Sequence, residues 1–326
     1  MSLEKIYAPV KRQLQAVEGC LFLSSQSENE VILAAVSRLL DAGGKRLRPA
    51  LLLIAAEACG YTGERSAKLA TVMELMHLAS LIHDDVIDDT NVRRGVATIN
   101  SCLGNRTSVL VGDHLYAKAV AILAEDGDPE VMRSVAETVC RMTESEAAQS
   151  LCRNNASVTE EQYLATIAGK TASLMSCCCH VGAMLGNGHS GDVQILGEYG
   201  LNLGMAFQIT DDLLDVTGEP EKLGKPAGND IRQGSLTLPF IHAMRLAEAE
   251  DREWMIRAFA SGQTNDSILT RMKNMAAEYG GIAYSCGKAR EYGQACKEGL
   301  ESLAHSDGDS HTSLAMLVDH VVGRAG

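Results

Sequence analysis

The sequence predicts an all-α fold: one helical bundle, a single domain over residues 1–326, built around a central cleft. Three observations predict it. Apolar residues recur at three- and four-residue spacing through most of the chain. No stretch alternates with the two-residue period of a half-buried strand. The breaks between periodic runs are short and marked by glycine, which suits antiparallel helices.

Taken in order, Val31–Leu40 is the first clear run, and it stops at Gly43-Gly44. There the chain reads Gly43-Gly44-Lys45-Arg46-Leu47-Arg48-Pro49, three cations in four residues ahead of the next helix. The glycines let backbone approach an anion closely. Arginine offers phosphate oxygens a planar fork and lysine a point charge. A Walker loop is excluded, because no strand precedes the segment and the G-x-x-x-x-G-K-[ST] spacing is not met. Taken alone, the patch reads as a solvated basic turn. The longest uninterrupted apolar run, Pro49 to Ala56, is too short to span a bilayer.

Ser66–Ile87 follows Gly60 and ends in Asp84-Asp85-Val86-Ile87-Asp88, with Arg93-Arg94-Gly95 directly after. His77 lies two turns upstream on roughly the same face. Ser108–Ala124 and Pro129–Leu151 come next, separated by Gly127 to Pro129. Glu160–Leu185 carries Gly169-Lys170-Thr171 in its middle. A lysine in an apolar run is costly without an anion, so Lys170 is expected to face the cleft. Val193–Val216 ends in Asp211-Asp212-Leu213-Leu214-Asp215, and Gln208 stands one turn before Asp212. Glu219 to Gly234, glycine-rich and charged, reads as a mobile loop.

The two aspartate clusters share the pattern D-D-x-x-D. Residues at i and i+3 or i+4 lie on one helical face, so each cluster projects its carboxylates together. Carboxylates this close resist ionisation unless a cation sits between them. Mg²⁺ suits them, being a hard ion that takes oxygen ligands and is completed by substrate phosphates. A solvated face explains one such cluster but not two copies of one spacing inside apolar runs. A calcium loop fails, since its sixth position from Asp84 is Asp89 where glycine is needed.

Composition excludes other classes. A net charge of −13 argues against a nucleic-acid partner. Ten cysteines show no disulfide framework and no secretory signal opens the chain, so reduced thiols in a cytoplasmic protein are expected. No transmembrane segment is expected, and membrane contact would be peripheral, for product release. Cys177-Cys178-Cys179-His180 is not a zinc site, because consecutive helical residues point about 100° apart.

The ordered set from Gly43 to Pro49, Glu74-x-x-His77, Asp84-Asp85-x-x-Asp88 with Arg93-Arg94-Gly95, Gly169-Lys170-Thr171, and Phe207-Gln208-x-x-Asp211-Asp212-x-x-Asp215 resembles the trans-polyprenyl diphosphate synthases. The likeness runs from residue 5 to residue 324 and is nearest to the long-chain, heptaprenyl- and octaprenyl-type members. It implies the all-α isoprenoid synthase bundle. It also implies head-to-tail condensation of isopentenyl diphosphate onto an allylic diphosphate such as farnesyl diphosphate, giving a quinone side-chain precursor. Asp84, Asp85, Asp88, Asp211, Asp212 and Asp215 would hold about three Mg²⁺ ions, whose charge they balance. Arg93, Lys170, Thr171 and Gln208 would line the allylic diphosphate site, with Lys225 closing over it. Lys45, Arg48, His77 and Arg94 would bind isopentenyl diphosphate. One departure is Ser235, where the family often has lysine. Members lacking that lysine include subunits that need a second, different chain, so a heterodimer stays open beside the usual homodimer.

The implied reaction is ionisation, condensation and elimination. Product length would depend on residues below the first cluster. Ala79 and Ser80 are small, so a growing chain passes that turn, and Met76 or Tyr116 would form the floor. A medium-chain (farnesyl or geranylgeranyl) synthase is the alternative within the family. A terpene cyclase needs only the allylic substrate, and the Gly43–Pro49 segment with His77 argues against it. A non-catalytic partner subunit should have degraded aspartate motifs, and these are intact.

Overall fold

Helical periodicity is carried through almost the whole chain in the computed structural model, which describes residues 2–93, 95–186, 190–218, 228–263, 265–303 and 308–325. The amino-terminal helices are α1 (Leu3–Ile6), α2 (Lys11–Ser24), α3 (Glu30–Asp41), α4 (Leu47–Ala58) and α5 (Arg65–Ile87). After α5 come two short strands, β1 (Val92–Arg93) and β2 (Val96–Ala97), paired antiparallel. The pair escaped the sequence pattern because two residues are too few to display a period; its turn includes Gly95 at φ 76°. Then follow α6 (Ile99–Leu103), α7 (Asn105–Asp126), α8 (Pro129–Leu151), α9 (Glu160–Ile167), a π-helical turn (Ala168–Ala172), α10 (Ser173–Leu185) and α11 (Ser190–Thr217). The remainder is α12 (Asn229–Arg232), α13 (Leu238–Leu246), α14 (Ala249–Ala260), α15 (Asp266–Glu278), α16 (Gly281–Glu301) and α17 (Asp309–Val322), closed by a 3₁₀ turn (Gly323–Ala325).

The Cα positions divide the chain into two compact units. The first comprises Met1–Val139, Cys177–Gly197 and Ser302–Leu314, and the second Cys140–Ser176, Glu198–Glu301 and Ala315–Gly326.

In the first unit α4 is buried on every side: all eight residues from Pro49 to Ala56 are buried. A helix apolar all round belongs in a core, which explains why this stretch shows no one-sided stripe. Each fully buried leucine there contributes about 1.5–3 kcal/mol. Helix α5 packs on α2, α4 and α7. Small residues set the closest approaches. A Cβ on Gly112 of α7 would lie 2.2 Å from His83 of α5, and one on Gly182 would lie 2.3 Å from the Leu52 carbonyl oxygen. Helix α7 is long and apolar enough to cross a membrane. The longest uninterrupted run had suggested no such segment, because Asp113 and Lys118 interrupt its apolar residues. It packs along α5.

In the second unit Tyr163, Ile209, Leu213, Phe240, Phe259 and Met272 belong to one buried core. Helix α9 starts at a capping box, in which the Thr159 hydroxyl accepts from the Gln162 N–H and the Gln162 side chain accepts from the Thr159 N–H. The predicted run Glu160–Leu185 is interrupted by the π turn, which places one extra residue in the helix. Glycines on α11 face that turn and the start of α10: a Cβ on Gly204 would lie 2.5 Å from Ala172 Cα, and one on Gly200 2.5 Å from the Met175 carbonyl oxygen. Of the stretch expected to be a mobile loop, residues 219–227 lie outside the described residues, and Asn229–Arg232 is helical.

Candidate active site

Both aspartate clusters occupy the carboxy-terminal ends of long helices. Asp84 and Asp85 are in the last turn of α5 and Asp88 is its C-cap; Asp211, Asp212 and Asp215 are in the last turns of α11. The helix dipole is negative there, so anionic side chains are disfavoured unless a cation answers them. Carboxylate oxygens are hard donors of the kind Mg²⁺ takes; among the described residues no three such side chains stand close enough to enclose an ion by themselves, which suits an ion completed by water and substrate phosphate.

In the first unit the middle aspartate is committed to the protein. Asp85 is 7% exposed, and its Oδ1 receives both Nε and Nη2 of Arg93 at 2.8 Å. Burial pushes its carboxyl up and Arg93 pulls it back. The chain returns Arg93 to this position through a tight reversal. Asp89 adopts φ 48°, the Thr90 N–H donates to the Asp85 carbonyl at 2.9 Å, and the Asn100 amide bridges the Asp85 and Thr90 carbonyls, each at 3.1 Å. Asp84 and Asp88 are partly exposed. Arg94, expected on isopentenyl diphosphate, lies outside the described residues.

The basic segment separates its three cations. Arg46 has the left-handed φ of 47° and turns inward, pairing with Glu18 at 2.5 Å and with buried Glu74 at 2.9 Å. Arg48 Nη1 lies 3.0 Å from His77 Nε2. Arginine only donates, so His77 Nε2 accepts and carries no proton. The two residues expected on one substrate therefore meet. Lys45 is exposed, and its carbonyl oxygen accepts from the Tyr7 hydroxyl at 3.0 Å. Below the cluster, Ala79 is fully buried and Met76 is 3% exposed. The Ser80 hydroxyl donates to the His77 carbonyl at 2.8 Å. Tyr116 sits against His83, ring centroids 5.7 Å apart, with its hydroxyl pushed up by burial and by Asp84 and Asp113 nearby.

In the second unit Asp212 is 5% exposed. Its Oδ2 accepts from the Tyr163 hydroxyl at 2.6 Å and its Oδ1 from Gln208 Nε2 at 2.8 Å. Gln208 Oε1 in turn accepts from the Thr171 hydroxyl at 2.9 Å. Burial raises the Asp212 carboxyl to about 7, with Asp211 and Asp215 adding to the rise against the two hydrogen bonds. Asp215, 2% exposed, accepts the Asp230 N–H on Oδ2 at 3.1 Å, and its carbonyl accepts the Gly228 N–H at 2.8 Å. Asp211 is partly exposed and pairs with Arg324 at 2.8 Å, whose guanidinium lies 5.5 Å from the Phe207 ring centroid.

Lys170 sits on the π turn and reaches α8, pairing with Glu146 and donating to Gln149 Oε1 at 2.9 Å. Gly169 makes this reach feasible: a Cβ there would fall 1.8 Å from Ser145 Oγ. Gln149 Nε2 donates to Ser235 Oγ at 3.2 Å. Lys225 lies outside the described residues.

Thr171, Gln208 and Asp212 are thus joined in one hydrogen-bonded run, and Lys170 is tied to α8. Sequence reasoning missed Tyr163, Glu146, Gln149, Asn100 and Arg324. Tyr163 had a signal, standing two turns before Lys170 in the same run. The others are brought in by tertiary contacts and had none.

A family model described as "Polyprenyl synthetase" matches residues 29–275. The chain is 36% identical over 299 residues to a short chain isoprenyl diphosphate synthase of Methanothermobacter thermautotrophicus, covering 90% of this chain and 91% of that one. It is 41% identical over 244 residues to heptaprenyl diphosphate synthase component 2 of Geobacillus stearothermophilus, covering 75% and 76%. Among solved structures, a decaprenyl diphosphate synthase from Rhodobacter capsulatus superposes with a TM-score of 0.95 at 35% identity over 100% of both chains. A polyprenyl synthase from Caulobacter crescentus, complexed with calcium and isoprenyl diphosphate, superposes with a TM-score of 0.94 at 31% identity, covering 100% of this chain and 98% of that one.

Proposed function

The chain belongs to the polyprenyl synthetase family, and on that premise we propose that it condenses isopentenyl diphosphate head-to-tail onto an allylic diphosphate to build a long-chain all-trans polyprenyl diphosphate. The observation that carries this reading is the division of labour among charged groups. Carboxylates gather at two negative helix ends, while the Arg48 guanidinium, hydrogen-bonded to His77, follows exposed Lys45 by three residues.

In this reading Arg48, His77 and Lys45 bind isopentenyl diphosphate, with Arg94 expected to join them. Lys170, Thr171 and Gln208 serve the allylic diphosphate, with Lys225 expected over it. The partly exposed Asp84, Asp88 and Asp211 are the first candidates to hold Mg²⁺, and Asp85, Asp212 and Asp215 brace them through their own hydrogen bonds. Bound Mg²⁺, about three ions per chain, supplies positive charge to the leaving diphosphate. Lys170 adds a preorganised charge to the same end. As the allylic C–O bond breaks, the electron pair leaves on the diphosphate. The isopentenyl double bond then attacks the allylic carbon, and a proton is lost to the released diphosphate. The buried lining around Ala79 and Met76 keeps water from the cation.

Long-chain product is supported by small Ala79 and Ser80 and by the decaprenyl and heptaprenyl neighbours. A medium-chain product is the second reading, favoured by the short-chain relative. We further place the enzyme in the cytoplasm as a dimer. Leu110, Ala117, Val120 and Ala124 stand seven, three and four residues apart along one side of α7 and are all exposed, an apolar face, interrupted by Asp113, suited to a second copy. A heterodimer is the alternative, from the likeness to a component 2 chain.

The test is incorporation of radiolabelled isopentenyl diphosphate by the purified chain alone, with Mg²⁺ and farnesyl diphosphate, and sizing of the product. Incorporation into long chains is expected. No incorporation without a second subunit overturns the self-sufficient enzyme, and turnover without isopentenyl diphosphate overturns the reaction class.

A further inference from the structure

We propose that Gln149 and Ser235 are positioning residues for Lys170: Ser235 holds the far end of the Gln149 amide, so that its near end stays on the lysine ammonium. The proposal deepens the reading of Lys170 as a contact to the allylic diphosphate and rests on it.

The geometry is a three-membered relay. Ser235 Oγ accepts from Gln149 Nε2 at 3.2 Å, and Gln149 Oε1 accepts from Lys170 Nζ at 2.9 Å. An ammonium only donates, so the amide must present its oxygen to Lys170 and its NH₂ group to Ser235. Remove the serine hydroxyl and that NH₂ group loses its partner, which frees the whole side chain to leave the lysine.

Ser235 is itself a fixed post. Its N–H donates to the Asp230 carbonyl at 2.8 Å, and the preceding carbonyl, on Gly234, accepts from the Asn154 N–H at 2.9 Å. Asp230 in turn donates its N–H to Asp215 of the second aspartate cluster. The segment from Asp230 to Ser235 is therefore anchored at one end to the cluster and at the other to Asn154, three residues past the end of α8.

Lysine approaches α8 by construction. Gly169 removes the side chain that would collide with Ser145, and Glu146 and Gln149 stand one turn apart on the face Lys170 meets. A lysine stem loses rotamer freedom when it grips an anion. Holding the ammonium beforehand takes that loss out of the binding step.

The experiment is steady-state kinetics with the allylic diphosphate and isopentenyl diphosphate varied separately, on Ser235→Ala, Ser235→Thr, Gln149→Met, Lys170→Ala and the Ser235→Ala/Lys170→Ala double variant. Ser235→Ala and Gln149→Met are expected to raise KM for the allylic diphosphate about five-fold. KM for isopentenyl diphosphate should stay unchanged. Ser235→Thr, which keeps the hydroxyl, should restore the wild-type value. Ser235→Ala should add nothing once Lys170 is gone, because the relay then has no end. If Lys170→Ala raises the allylic KM but Ser235→Ala and Gln149→Met do not, or if their effects add to it, the positioning role is overturned and the site reading stands. If Lys170→Ala itself leaves the allylic KM unchanged, the site reading fails and the relay with it. Should Ser235→Ala not fold, Gln149→Met carries the same comparison.

Discussion

Asp212 is held by a tyrosine hydroxyl and a glutamine amide, both neutral, in a place where 5% of its surface meets solvent. Its carboxyl rises from 3.8 to about 7, so the folded chain keeps a proton that the unfolded chain has released. Stability from this group is complete below about pH 4 and is lost as pH climbs through about 7. The metal-free protein should therefore melt at falling temperature between about pH 4 and pH 7, and Asp212→Asn, which cannot ionise, should flatten that fall. An unchanged slope in the variant would place the titration elsewhere. Asp84 and Asp211 differ in kind, being partly exposed at negative helix ends. Replacing either with alanine should cut turnover by on the order of 10²–10³-fold or more, with the circular dichroism spectrum and melting curve retained. Near-normal activity in either variant would remove it from the metal set. The residue types and spacing announced these positions, but not that the middle aspartate of each cluster is turned to a protein partner. Arg93 is eight residues from Asp85 and Tyr163 is 49 from Asp212, and no local pattern links such pairs.

Helices α5 and α11 end in the aspartates, and α9, the π turn and α10 carry the lysine. The run pattern located α5 and α11 and merged the other three into one run, Glu160–Leu185, and the glycines in these runs carried more meaning than punctuation. Gly169 faces α8 so closely that a Cβ would sit 1.8 Å from Ser145 Oγ and 3.2 Å from the Arg141 carbonyl oxygen. Gly169→Ala should cost about 1–3 kcal/mol of stability through overpacking. It should also raise KM for the allylic diphosphate, read by denaturant titration and kinetics side by side. Lost stability with unchanged KM would detach the turn from the substrate. On α5 the equivalent question is the depth below the cluster. Ala79 is fully buried and Met76 lies one turn deeper. Ala79→Phe should shorten the product to about farnesyl or geranylgeranyl length, since an aromatic ring there fills the space a chain must cross. Unchanged products on reverse-phase chromatography would rule out a passage along this face. The π turn itself had no sequence signal, because an added residue in a helix leaves the apolar spacing almost intact.

At the scale of the whole chain, a net charge of −13 coexists with a substrate that is itself polyanionic. In the proposed function the contradiction is resolved locally, through cations such as Arg48 and Lys170 and through the Mg²⁺ that the carboxylates would attract. The exposed apolar face of α7 is the molecule's clearest request for a partner. Leu110→Glu with Val120→Glu should turn a dimer into a monomer by light scattering on a sizing column, while a wild-type protein already monomeric would dismiss the face as an interface. By itself the sequence determined the helical class, the two carboxylate clusters, the basic segment and the small residues below the first cluster, because periodicity and short motifs are properties of neighbours along the chain. The tertiary structure alone decided how the charged groups pair. Arg46 meets Glu18 and Glu74, Arg93 meets Asp85, Arg324 meets Asp211, and Lys170 meets Glu146 and Gln149, whose amide also reaches Ser235. Those choices rest on partners up to 113 positions apart, brought within hydrogen-bond reach only once the helices have packed.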